Sequence, residues 1–150
     1  MFRTNAPHWG MCLACLCLLA AMGCSDREGS RASVQETMFR EATGSFCDEA
    51  EALVTMIESD ARMAERHPQA TKMDDQWLRA AEAPQGWEEL GTKIKQARDT
   101  VMKESSTLSD IQENYRDRPN EQKEARQKQL DRIPALRAEL REIRTKVGAK

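Results

Sequence analysis

Aromatic side chains are scarce in this chain of 150 residues, at 5% of the composition, and glycine and proline number only seven and five. Sandwiches and barrels need many short strands joined by Gly- and Pro-rich turns, so this composition argues against them and against a doubly wound sheet. Histidine is nearly absent, with His8 and His67 the whole supply. There is no nucleophile-elbow pattern, no Gly-rich phosphate loop, no paired-histidine metal motif and no haem-attachment motif. A hydrolytic triad would have to draw on His67, immediately before Pro68, and the chain reads as a non-enzyme. An excess of positive charge is missing too: 23 Lys+Arg stand against 25 Asp+Glu, net -2, which gives no general attraction to nucleic acid. No apolar run approaches the roughly 20 residues a membrane span requires. The longest, Met11 to Met22, has 12 residues.

That short run is the first positive signal. It follows a segment carrying Arg3 and His8 and stops at Gly23 before the polar stretch Ser25 to Arg31, which is the shape of a secretory signal peptide over residues 1–23. The junction Leu19-Ala20-Ala21-Met22-Gly23-Cys24 resembles the lipobox of bacterial lipoprotein precursors, with Ala21 where that family usually has leucine. The resemblance implies lipidation of the Cys24 thiol, cleavage before it and a mature chain tethered by residues 24–32. Ser25 stands where the family's inner-membrane retention signal places Asp, which implies the outer membrane, facing the periplasm. One acyl chain anchors only marginally at about 0.8 kcal/mol per methylene, whereas the two or three of a bacterial lipoprotein hold firmly. Apart from this covalent lipid no cofactor is implied. Cys12, Cys15 and Cys17 would leave with the signal, and Cys47 reads as a small buried hydrophobe beside Phe46, with an intermolecular disulfide the other reading.

Beyond residue 32 the pattern is helical throughout, and the fold class is all-α: an elongated three-helix bundle or helical hairpin with coiled-coil-like seams, helices falling near 34–66, 71–83, 86–117 and 120–147. Ser33 and Glu36 have capping-box spacing. Phe39, Ala42, Phe46, Ala50, Leu53, Ile57, Ala61 and Ala64 then recur by threes and fours until Pro68. A short piece around Met73, Trp77 and Leu78 comes next. The clearest seam is Trp87, Leu90, Ile94, Ala97, Val101, Glu104, Leu108, Ile111 and Tyr115, with a break expected at Ser105-Ser106-Thr107, where helix propensity is poor. After Pro119, Ile133, Leu136, Leu140, Ile143 and Val147 carry the last stripe, and Pro134 must kink that helix or sit in its first turn. Glu89 with Lys93, Asp99 with Lys103, Glu124 with Lys128 and Glu142 with Lys146 are four apart in the favourable order.

The candidate partner-binding residues are Trp87, Leu90, Ile94, Ile133, Leu136 and Leu140, which dock an envelope protein or a second copy wherever the seams are not consumed internally. The reading is of a tether or accessory subunit of an envelope assembly. The alternative is a periplasmic metal sensor or chaperone-like protein. Met56, Met63 and His67 would supply a soft metal site, and Leu108-Ser109-Asp110-Ile111-Gln112 is similar to the Leu-Thr-x-x-Gln motif of helical periplasmic stress chaperones and metal sensors. Residues 119–150 are net +4 and residues 25–118 net -7. A basic last helix packed beside acidic partners within the bundle explains this, an anionic surface being the other reading. The terminal Lys150 also resembles the plan of the murein lipoprotein, whose last lysine joins peptidoglycan; this chain departs from that family in length, prolines and tryptophans.

Overall fold

A computed structural model describes the backbone of residues 12–148 and the side chains of residues 31–148. Met1 to Met11, the side chain of Cys24 and all of Lys150 lie outside the described residues, and with them most of what bears on the leader, the lipid and the C-terminal lysine. The chain divides into two units, residues 1–35 and 36–150. All regular structure among the described residues is helical: α1 (Cys12–Glu58), α2 (Met63–Ala80), α3 (Glu88–Asn114), α4 (Pro119–Leu130) and α5 (Ile133–Val147). The first unit contributes the beginning of α1; the helix packing described below is that of the second.

Several expected boundaries move, each for a local reason. α1 runs through Ser33, so Ser33 is not a helix cap, and the expected tether, residues 24–32, is helical. Glu36 pairs with Arg40 at 2.7 Å. α1 stops at Glu58, before the expected 66, because Asp60 adopts φ 60°, a left-handed conformation that a helix cannot pass through. Arg62 is extended, its amide donating to the Glu65 carboxylate at 3.2 Å, and α2 starts there. Pro68 thus lies inside α2 and does not end a helix. The donor it lacks would have served the Ala64 carbonyl, and both residues are on the exposed face, where water can take that role.

α2 is a full partner of α3, longer than the short piece expected. α3 is unbroken through Ser105-Ser106-Thr107. The Thr107 hydroxyl folds back onto the Lys103 carbonyl at 2.9 Å, and Ser105 is held from across the helix pair, as described below. The last segment divides into α4 and α5 at Asp131-Arg132. Pro134 has no N–H for the Leu130 carbonyl, so the ladder resets and Pro134 occupies the first turn of α5. Gly148 ends α5 at φ 67° in a left-handed cap.

Cross-helix contacts fix the directions. Arg66 meets Ser105 while Asp74 meets Arg98, so α2 and α3 are antiparallel. Glu104 meets Arg132 while Lys93 meets Glu142, so α5 is antiparallel to α3. Val147 meets Arg40 and Leu140 meets Cys47, so it is antiparallel to α1 as well. One core results, from Phe39, Phe46, Leu53, Val54 and Ile57 of α1, Met73 of α2, Ile94, Val101 and Leu108 of α3, and Ile133, Leu140 and Ile143 of α5. Each buried Leu, Ile or Phe contributes roughly 1.5 to 3 kcal/mol.

Candidate functional site

Five of the six residues expected to dock a partner lie buried in this core, and Trp87 packs against it. Ile94, Ile133 and Leu140 are 1% exposed, and Leu136 and Leu90 only 4% and 6%. Trp87 is half-buried: the Phe39 ring meets it edge-on at 5.6 Å, and the Arg40 guanidinium lies 4.7 Å over its face. Of the six, Trp87 keeps partial exposure. Among the described residues, the exposed large apolar side chains are instead Val34, Met38, Met63 and Leu78.

Two features carry chemistry. The first is a buried polar layer linking α1, α3, α4 and α5. Glu104 interrupts the apolar seam of α3 and is 4% exposed. Both its oxygens accept from Arg132, at 2.8 Å each, a bidentate pair. Gln129, fully buried on α4, donates from Nε2 to the Glu104 carbonyl at 2.6 Å and accepts from Arg126. Arg126 also donates to the carbonyls of Ile57 and Glu58, closing the end of α1 where the helix leaves acceptors unpaired. α4 is mostly polar, with Ala125 and Leu130 half-buried, and Gln129 is its single buried residue among those described.

The second feature is a cleft of about 380 Å³ between α2 and α3, lined by Met63, His67, Met102, Ser106, Asp110 and Glu113 with Arg66, Ala70, Ser105 and Ser109. Arg66 forms its inner wall at 1% exposure. Its Nε donates to the Ala61 carbonyl at 3.0 Å, Nη1 to Ser105 Oγ at 2.7 Å and Nη2 to Ser109 Oγ at 2.8 Å. Burial pulls its pKa down and Asp60 partly restores it. Met63 and His67, two of the three residues expected to hold a soft metal, share this cleft. Met56, half-buried on α1, does not line it, and Met102 of α3 does.

The stretch resembling the chaperone motif is absorbed by packing. Leu108 and Ile111 are in or beside the core, Ser109 receives Arg66, and Gln112 Nε2 donates to the Asp60 carbonyl at 3.2 Å and Asp60 Oδ1 at 3.1 Å, clamping the α1–α2 turn. Cys47 is a free thiol with no exposure, and burial pushes its pKa up to about 12. Its environment matches the buried-hydrophobe reading.

No family model, curated protein or solved structure matches this chain.

The charge asymmetry has a local explanation. Arg137 of α5 pairs with Glu51 and Glu58 of α1, Arg144 with Asp48, Arg132 with Glu104, and Arg126 faces Asp60 at 3.8 Å. The basic final segment lies against an acidic α1, as the charge distribution implied. Of the four expected intrahelical pairs, Glu89–Lys93, Glu124–Lys128 and Glu142–Lys146 form; Asp99 turns to Lys95 and Arg98, and Lys103 is left out of it. The residues that sequence reasoning missed are Arg66, Gln129 and Thr43, polar side chains with 1% exposure or less. For Arg66 and Gln129 the usable signal was a polar residue in register with an apolar stripe: Arg66 precedes Ala70 and Met73 by four and seven, and Gln129 precedes Ile133 and Leu136 by the same steps.

Proposed function

We propose that this protein is a lipid-anchored, periplasm-facing accessory subunit or tether of the cell envelope, acting by binding and not by catalysis. The observation that carries the reading is the sequence junction Ala21-Met22-Gly23-Cys24 behind a 12-residue apolar run. In this reading diacylglyceryl transfer to Cys24 and cleavage before it leave the helical region confined to the outer membrane's inner face. Confinement raises the effective concentration of any envelope partner. Among the searched residues no helix is long and apolar enough to cross a membrane.

A four-helix bundle, with α4 and α5 in tandem as its last member, is the form proposed for the 36–150 unit. Its closed seams direct partner contacts to exposed groups such as Leu78 and Met38. Mass spectrometry of the N-terminal peptide from a membrane fraction tests the anchor. A triacylated or diacylated Cys24, and release of Cys24→Ala into the soluble fraction, are the expected results. An unmodified Cys24 on a freely diffusing protein overturns the proposal.

A further inference from the structure

We propose that the α2–α3 cleft binds a soft monovalent cation, copper(I) or silver(I), through the thioethers of Met63 and Met102 and the imidazole of His67. The inference holds whether or not Cys24 carries a lipid.

The three donors come together because of tertiary packing. Met63 and His67 are four apart on one face of α2, and the antiparallel register set by Arg66 on Ser105 brings Met102 of α3 to the same cleft of about 380 Å³. Thioethers are soft, polarizable ligands that select copper(I) over hard divalent ions, and imidazole suits the same metal. Among the described residues no group of three His, Cys, Asp or Glu side chains is placed to hold a metal, and the zinc(II) comparison below tests hard-ion binding directly.

The electrostatics fit one positive charge. With His67 neutral, as metal binding requires, the lining carries Arg66 against Asp110 and Glu113, one negative charge in excess. Arg66 is the obvious objection to a cation. Its guanidinium is, however, turned inward onto the oxygens of Ala61, Ser105 and Ser109, which leaves the two carboxylates facing the cleft on α3. Met63 is 63% exposed, so an ion can reach its sulfur from solvent.

The full-length chain in detergent, its accessible cysteines alkylated and its methionine methyls carbon-13 labelled, is titrated with silver(I) nitrate. In a second arm it meets copper(I) under anaerobic competition with a chelator. The methyl resonances of Met63 and Met102 and the ring signals of His67 should shift together and saturate at one ion per chain, while Met56 stays still. Met63→Leu, Met102→Leu and His67→Ala should each weaken binding roughly tenfold or more with helical circular dichroism unchanged, Leu conserving the volume of Met. A Met63→Leu/Met102→Leu double variant that keeps the parent's affinity overturns the site. So does zinc(II) binding as tightly as silver(I), or resonances that saturate independently.

Discussion

Glu104 and Arg132 share one bidentate contact but not one environment: the Glu104 side chain is 5% exposed and Arg132 51%. Removing either partner therefore has unequal consequences. Arg132→Met strands a buried carboxylate and should cost about 3 to 5 kcal/mol, whereas after Glu104→Met the guanidinium turns to water and the change should stay within about 1 kcal/mol. Urea unfolding of the two variants measures the difference, and equal losses would show that the pair is not asymmetric. A second residue-scale prediction concerns Glu139, whose pKa is raised first by burial and then by Glu142, with Lys93 opposing. A carboxyl with a raised folded pKa is held more tightly protonated in the fold than in the unfolded chain. Its favourable contribution is complete at low pH and is lost as pH rises through the unfolded and then the folded pKa. Glu139→Gln should thus raise Tm at pH 7, with the gain shrinking toward zero at pH 4. Glu142 next to it has the opposite tendency, its pKa lowered by hydrogen bonds from Lys93 and Lys146.

Between elements, α3 approaches the α2–α3 connection closely at Gly91. A Cβ built on Gly91 would sit 2.9 Å from the Cβ of Ala83, closer than two carbons tolerate. Helix propensity alone predicts that Gly91→Ala stabilises α3 by about 0.8 to 1 kcal/mol. The contact reverses that sign: Gly91→Ala should lower Tm, and adding Ala83→Gly should return most of the loss, a coupling that a double-mutant cycle reads directly. Element boundaries obey the same logic of local chemistry against packing. Pro134 was legible as a first-turn or kink residue because its missing donor is a property of one residue. The termination of α1 was not, since a left-handed Asp60 is one of several residues that can take that conformation, and what selects it is the clamp from Gln112 and Arg126.

Across the whole helical unit, burial is uneven. α3 contributes Leu90, Ile94, Ala97, Val101, Leu108 and Ile111 to the interior, and α4 contributes Gln129 alone. Local opening costs least where few apolar groups must be exposed. Amide hydrogen exchange should accordingly be fastest, among these helices, over residues 121–128 and slowest over the middle of α3. Comparable protection in α4 and α3 would mean that the polar layer through Gln129 and Arg126 holds α4 as firmly as an apolar face does. That layer is also the natural device for fixing which helix faces which. A core of Leu, Ile and Ala tolerates sliding by a turn, and a bidentate Glu104–Arg132 pair does not.

The amino-acid order by itself determined the helical class and the inward stripes of α1, α3 and α5, because a period of 3.6 residues writes an apolar face directly into the chain. It also carries the whole argument for Cys24. Which polar residues lie inside, that the seams close on one another, and that Met102 lines the same cleft as Met63 and His67 were decided only by the packing of helices. Those facts depend on rotation and register between segments 25 to 40 residues apart, such as Gln129 with Glu104 and Arg66 with Ser105. Periodicity within one helix holds no record of either.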